Sequence, residues 1–227
     1  MVVAFDPSYI PLEDFCFDNW RWDVKDRSRD TVTLPGNRVL FHPTWSNGTA
    51  GIRGNKPLTH GAHYWEIRFH KRVFGTSMMV GVATKQARLH TDIFTNLMGQ
   101  DSESWGMSHK GLIWHDGNSK RYTEEFQEQV STTVGVLYDR TQGTLTYFKD
   151  GKNLGIAFTG LRKVKEDLYP FITSTAAKTE MSTECSLRSF DNLQDRCRAV
   201  IALYCTNNDI DMLPIPKSMK EYIDEIL

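Results

Sequence analysis

The residues able to do chemistry in this chain are placed for grip more than for reaction. Two carboxylate groups stand close in sequence, Asp101-x-Glu103 and Glu124/Glu125/Glu128. A sandwich glycosidase of the retaining type needs two carboxyl groups about 5 Å apart on one face, and neither set falls in a strand-like run. Seven histidines (His42, His60, His63, His70, His90, His109 and His115) are spread along the chain. The His60/His63 pair has no second pair at metal-ligand spacing, so surface or capping roles are expected of them and no metal site. Cys197 has no nearby histidine and helical flanks, which suits packing and not nucleophilic attack. The pattern with most chemical content is apolar: Leu193-x-x-x-Cys197-x-x-x-Ile201, followed by Leu213-Pro214-Ile215-Pro216. Anchors at i, i+4 and i+8 on one helix face are the geometry of a helix laid in a groove. No catalytic residue and no cofactor are expected.

The whole chain agrees with a binding protein. It has 227 residues, 27 Lys plus Arg against 28 Asp plus Glu, and a net charge of −1. Near-neutrality removes the electrostatic footprint of a nucleic-acid or anionic-membrane binder. No apolar run approaches the ~20 residues of a membrane span. Met1 to Phe15 meets acid and proline too early for a secretory core. Cys16, Cys185, Cys197 and Cys205 show no C-x-x-C and read as thiols of a reducing compartment, cytoplasm or nucleus.

Two kinds of element must position these residues. From Trp20 to about Ser189, short β-rich runs (38–42, 63–70, 77–84, 131–139, 144–150, 168–174) are separated by Gly, Asn and Asp. Asp150-Gly151 between two apolar runs predicts a hairpin. With no crossover helices, the pattern predicts an antiparallel sandwich, its core including Trp65, Trp105, Leu145, Tyr147, Leu154 and Phe158. Trp45, in a polar loop, is either a pocket wall or a lid over the core. After Asp191 the spacing becomes helical, with Asp191 or Asn192 as N-cap. A polar stretch (206–211), the prolines and a last helix then follow, in which Met219, Tyr222, Ile223 and Ile226 share a face.

Segments 51–67, 75–84 with 102–106, and 137–158 together resemble a SPRY domain, and the LxxxC helix followed by LPIP resembles a SOCS box. In this order they resemble the SPRY domain-containing SOCS box proteins over nearly the whole chain. The resemblance implies a mainly β fold: an antiparallel SPRY-type β-sandwich with a small C-terminal α-helical SOCS box. It divides the chain into an N-terminal extension (1–19), a SPRY domain (20–189) and a SOCS box (190–227). It implies that Leu193, Cys197, Val200 and Ile201 meet elongin C, which carries elongin B. It implies too that Leu213, Pro214, Ile215 and Pro216 select cullin-5 with its RING partner. Asn192 stands where the family usually has a small residue. The peptide pocket would be formed by Thr44, Trp45, Ser46, Phe94, Leu97, Gly99, Thr175, Ala176 and Ala177. Binders of Asp-Ile-Asn-Asn-Asn peptides usually carry Val-Trp-Gly where this chain has Thr175-Ala176-Ala177, a run more like the type-3 branch and otherwise readable as a small-residue strand end. The expected function is a non-catalytic substrate adaptor of an elongin BC–cullin-5 ubiquitin ligase that reads a short, possibly Asn-containing degron. The alternatives are an interaction scaffold that assembles no ligase, and a glycan-binding or glycan-cleaving sandwich.

Overall fold

The computed structural model describes residues 15–190 and 192–224, with the side chains of 202, 203, 207, 208 and 224 left aside. Two antiparallel sheets face one another. The first has the order β14 (Lys152–Phe158), β13 (Thr144–Lys149), β12 (Thr132–Asp139), β6 (Ala62–Phe69), β16 (Thr179–Ser189), β4 (Arg38–Phe41) and β3 (Thr31–Leu34). The second has β11 (Asn118–Arg121), β10 (Leu112–His115), β9 (Ser104–Ser108), β7 (Met78–Ala83), β15 (Tyr169–Ser174), β5 (Thr49–Gly54) and β2 (Trp22–Arg27). Short β8 (His90–Thr91) pairs with β5.

The period of two decides what fills the space between the sheets. Trp65, Ile67 and Phe69 of β6 and Val134, Val136 and Tyr138 of β12 point inward to meet Ile52, Val80, Val82 and Trp105. Leu145 and Tyr147 are fully buried there, while Leu154 and Phe158, on the edge strand, pack against the core only in part. The Asp150-Gly151 turn has φ of 49° and 81°. Positive φ at both central residues is the type I′ hairpin, whose twist matches the strands it joins.

Two differences from the sequence reading concern the surface of the sandwich. Residues 15–17, expected in the N-terminal extension, form β1 (Phe15–Phe17), which extends the first sheet along β16 through Cys16↔Arg188. Phe15 thereby joins Tyr64, Phe148 and Leu187 in a small cluster on the sheet's outer face. The second sheet is covered as well: Ala87 and Met98 lie over Met79, Ala83 and Phe171, with Leu89 and Trp114 alongside. Ala87, Leu89 and Met98 of the connection between β7 and β9 are therefore cover for this sheet, while Ile93 and Phe94 stay exposed.

Three helices follow: α1 (Leu193–Tyr204), α2 (Asn207–Met212) and α3 (Lys217–Asp224). The Asn192 side chain accepts from the Asp195 amide at 2.9 Å and starts α1. The stretch read as polar loop holds α2, closed by a capping box between Thr206 and Asp209 and pinned by fully buried Ile210. α3 begins after Pro216 and packs on both other helices, with Ile223 buried between them. The alternative cap Asp191, and Ile226 of the expected last-helix face, lie outside the described residues.

Candidate recruitment and recognition sites

On α1 the usual sense of burial is reversed. Leu193 is 76% exposed and Tyr204 84%; Val200 and Cys197 are exposed between them. Positions i, i+4, i+7 and i+11 form one continuous stripe along the helix. The opposite face is polar and buried. Asp195 receives Arg188 of β16 through both guanidinium nitrogens, at 2.7 and 3.0 Å, and Arg198 at 3.0 Å. Arg198 also donates to the Tyr222 carbonyl of α3 and lies 4.0 Å from that ring's centroid. A helix that merely packed on its own sandwich would bury Leu193 and expose Asp195. Here an ion cluster locks α1 to β16 and α3, and the apolar stripe faces out, which is how a docking face is presented. Ile201 is half-buried at the margin of the stripe. Tyr204, on the same face, was not among the expected contacts; its i+11 position was the available signal.

Leu213-Pro214-Ile215-Pro216 bends between α2 and α3, the Ile215 amide donating to the Leu213 carbonyl at 2.9 Å. Leu213 and Ile215 are half-buried, and both prolines are exposed next to Met212, itself 85% exposed. Proline has no amide hydrogen to leave unsatisfied, so this strip offers apolar surface with little polar backbone.

At the other end of the sandwich, three loops are tied together. The Ser46 hydroxyl donates to the Thr175 carbonyl, and the Thr175 amide donates to the Ser77 carbonyl at 2.8 Å. The Thr49 hydroxyl sits 2.9 Å from the Ile93 carbonyl and accepts from the Thr95 amide at 3.1 Å. Gly48 passes so close to residues 91–92 that a Cβ there would lie 2.1 Å from the Thr91 oxygen. Trp45, at 83% exposure, is therefore no lid over the core. Thr44, Trp45 and Phe94 stand at the surface, joined by exposed Ile93, which the sequence reading left out although it neighbours Phe94. Ala177 is half-buried beside them, while Thr175 and Ala176 are buried and act as support. Leu97 and Gly99 do not reach the surface: Leu97 is buried, and Gly99 is covered by Trp114.

The histidines depart from expectation: His42, His63 and His109 are buried. His42 Nε2 donates to the Ser174 carbonyl beneath the Trp45 loop, and burial lowers its pKa. His63 pairs with Asp18, and His109 Nδ1 accepts from the Met78 amide. Each satisfies a polar group that the loops bury. Among the described residues no group of three His, Cys, Asp or Glu is placed to hold a metal ion, and no helix is long and apolar enough to cross a membrane. Asp101 and Glu103 sit in a turn, with Glu103 taking the Thr84 hydroxyl, and Glu124, Glu125 and Glu128 lie in the connection between β11 and β12. Neither set places two carboxylates on one strand.

Residues 62–186 match the SPRY domain family and 192–224 the SOCS box family. SPRY domain-containing SOCS box protein 3 of Xenopus laevis is 39% identical over 95% of this chain, which spans 60% of that relative's length. SPRY domain-containing SOCS box protein 1 of Homo sapiens is 33% identical over 89% of this chain and 79% of its own. In fold, the SPRY domain of human HERC1 superposes with a TM-score of 0.59 at 16% identity, covering 72% of this chain and 96% of that one. With the sandwich and the outward-facing helix on the same chain, the protein belongs to the SPRY domain-containing SOCS box family.

Proposed function

We propose that this protein is the substrate-reading subunit of a ubiquitin ligase, with the helical module recruiting elongin C, elongin B and cullin-5 with its RING partner. The observation that carries this reading is the inverted burial of α1: a polar face locked inward by Asp195 and an apolar stripe of Leu193, Cys197, Val200 and Tyr204 left open. Burying one Leu-sized anchor contributes about 1.5–3 kcal/mol, so a few such anchors suffice for a stable complex. The exposed prolines at 214 and 216 follow where a second, cullin-contacting strip belongs. The sandwich has no chemistry of its own in this scheme. It holds a short degron against Trp45, Ile93 and Phe94, and tethering raises the effective concentration of substrate lysines near a ubiquitin-charged enzyme. The flat faces of Trp45 and Phe94 suit a planar side-chain amide, as an Asn-containing degron would supply. The free thiols fit residence in the cytoplasm or nucleus.

Co-purification with elongins B and C tests the reading. Wild type should bring both down, and Leu193→Ser with Cys197→Ser should lose them while keeping its thermal midpoint, because both side chains are exposed. Wild type that captures no elongin would sink the adaptor reading. Leu213→Ala with Pro216→Ala should then lose cullin-5 and retain the elongins.

A further inference from the structure

A second cavity lies at the end of the sandwich where the helical module departs. Its walls come from the loop before β6, the turn joining β12 to β13, and the 3-10 turn Leu161–Lys163. It has a volume of about 280 Å³ and is lined by Arg140, Arg162, His60, Thr59, Thr141 and Tyr138. Among the described residues, neither Arg140 nor Arg162 has a carboxylate within ion-pair distance. Asp139 and Asp167 carry the nearest negative charge, acting on Tyr138 at the cavity wall without pairing to either arginine, so the two guanidinium groups leave positive charge that an anion in the cavity would neutralise.

The backbone carrying the two arginines is held in place, and the Arg140 guanidinium also donates to the Leu58 carbonyl at 3.4 Å. Gly143, at φ 69°, lets the β12–β13 turn approach the 3-10 turn so closely that a Cβ there would lie 2.5 Å from the Arg162 nitrogen. The Leu161 amide donates to the Gly143 carbonyl at 3.0 Å, and the Arg140 amide to the Gly61 carbonyl at 2.9 Å. Asp139, the acid nearest in sequence to Arg140, spends an oxygen on the Gln142 amide. Lys163 and Lys165 continue the positive charge outward before Glu166 and Asp167 end it. The larger cavity, around Tyr122, mixes Arg121, Lys149 and Lys152 with Glu124, Glu125 and Asp150, and selects no charge.

We propose that this pocket binds the phosphate group of a phosphorylated peptide. Two guanidinium forks match phosphate oxygens bidentately, and the threonine hydroxyls supply neutral donors. The volume fits one phosphate-bearing side chain; small-molecule sites begin at about 300 Å³. A lipid surface fits less well, since the chain carries no net positive charge. The site is remote from the Trp45 patch: Ala62 opens β6 here by donating to the Ser189 hydroxyl, four residues before α1, while the Trp45 loops lie past the far end of β16. A phosphopeptide bound here leaves the Trp45 end free, so phosphorylation of a substrate or of a ligase component would add a second foothold.

The test is fluorescence anisotropy of the full chain with a fluorescein-labelled library centred on phosphoserine, against its unphosphorylated counterpart, with inorganic phosphate as competitor. Binding should require the phosphate, fall with salt, and be displaced by inorganic phosphate. Arg162→Gln, at an exposed residue, should weaken it about tenfold with an unchanged melting temperature, and adding Arg140→Gln should remove it. Equal affinity for the two libraries, or unchanged affinity in Arg162→Gln, would overturn the proposal. So would binding of free phosphate or of phosphatidylserine vesicles with none of the phosphopeptides.

Discussion

Asp195→Asn separates the two faces of α1. The substitution keeps the shape and the helix start but removes the charge that accepts Arg188 at 2.7 and 3.0 Å and Arg198 at 3.0 Å. A charge-assisted hydrogen bond contributes about 1.5–3 kcal/mol, and disrupting a buried ion pair from one side costs about 3–5. The Arg188 side chain is 20% exposed and partly rehydrates, which places the loss near the lower bound, about 3 kcal/mol. At about 1.4 kcal/mol per decade, the open population of the helical module rises roughly 150-fold. Native-state hydrogen exchange reads this by region: amides of α1 and α3 should lose protection by that factor while β6 and β12 keep theirs. Leu193→Ser should leave every amide unchanged, because its side chain stands in solvent. Unaltered protection of α1 in Asp195→Asn, or an equal loss across both sheets, refutes the view that this ion cluster is the local lock.

Three further outcomes follow from named contacts. Iodoacetamide should modify exposed Cys197 well before Cys185, whose thiol is pushed up to about 11 by burial and the neighbouring Glu66, and elongin should protect Cys197; equal rates, or modification of Cys197 unaffected by elongin, would contradict the stripe. Trp45→Ala or Phe94→Ala should weaken degron-peptide binding by about 2 kcal/mol, some thirtyfold, in a titration calorimeter without lowering the melting temperature; unchanged affinity in both removes the proposed patch. The Arg53 guanidinium beside Asp26, with Lys85, holds its carboxyl at about 2. A depressed pKa stabilises the fold above the ordinary value near 4, and that stability fades as pH falls from there toward 2. Asp26→Asn should therefore cost about 2 kcal/mol in urea unfolding at pH 7, after allowance for the exposed part of the carboxylate, and less at pH 3; the same loss at both pH values would exclude the ion pair as its source.

What the chain showed in advance was whatever a local period records. Alternation located β6, β12 and β13, and Asp150-Gly151 located the hairpin joining β13 to β14, because both signals are written within a few residues. The period of α1 likewise put Leu193, Cys197 and Tyr204 on one face, but period is symmetric between inside and outside. The sense of burial came from Arg188, which only strand pairing brings to Asp195. α2 escaped because Asn207–Met212 has no apolar period to find; its signal was the Thr206-x-x-Asp209 capping pattern. Leu97 was misplaced for a third reason: it lies in a loop whose polarity suggests exposure, and it is buried because that loop folds back over the second sheet.

The position of the two sites follows from one strand. β16 begins two residues after Ala177, under the Trp45 loops, and ends four residues before Leu193. Eleven residues at about 3.3 Å each span roughly 35 Å, and its one irregularity, between Thr183 and Cys185, falls mid-sheet with β6 pairing on either side. The Arg188–Asp195 pair then ties the first turn of the departing helix to the last residues of that strand. On the adaptor reading, a degron held at one end is presented at a set offset from the elongin face, and the reach needed to find a lysine falls to the substrate and the cullin. Loosening Asp195 should accordingly change which substrate lysines are modified at saturating elongin, whereas a change at Trp45 alters only how much substrate is held.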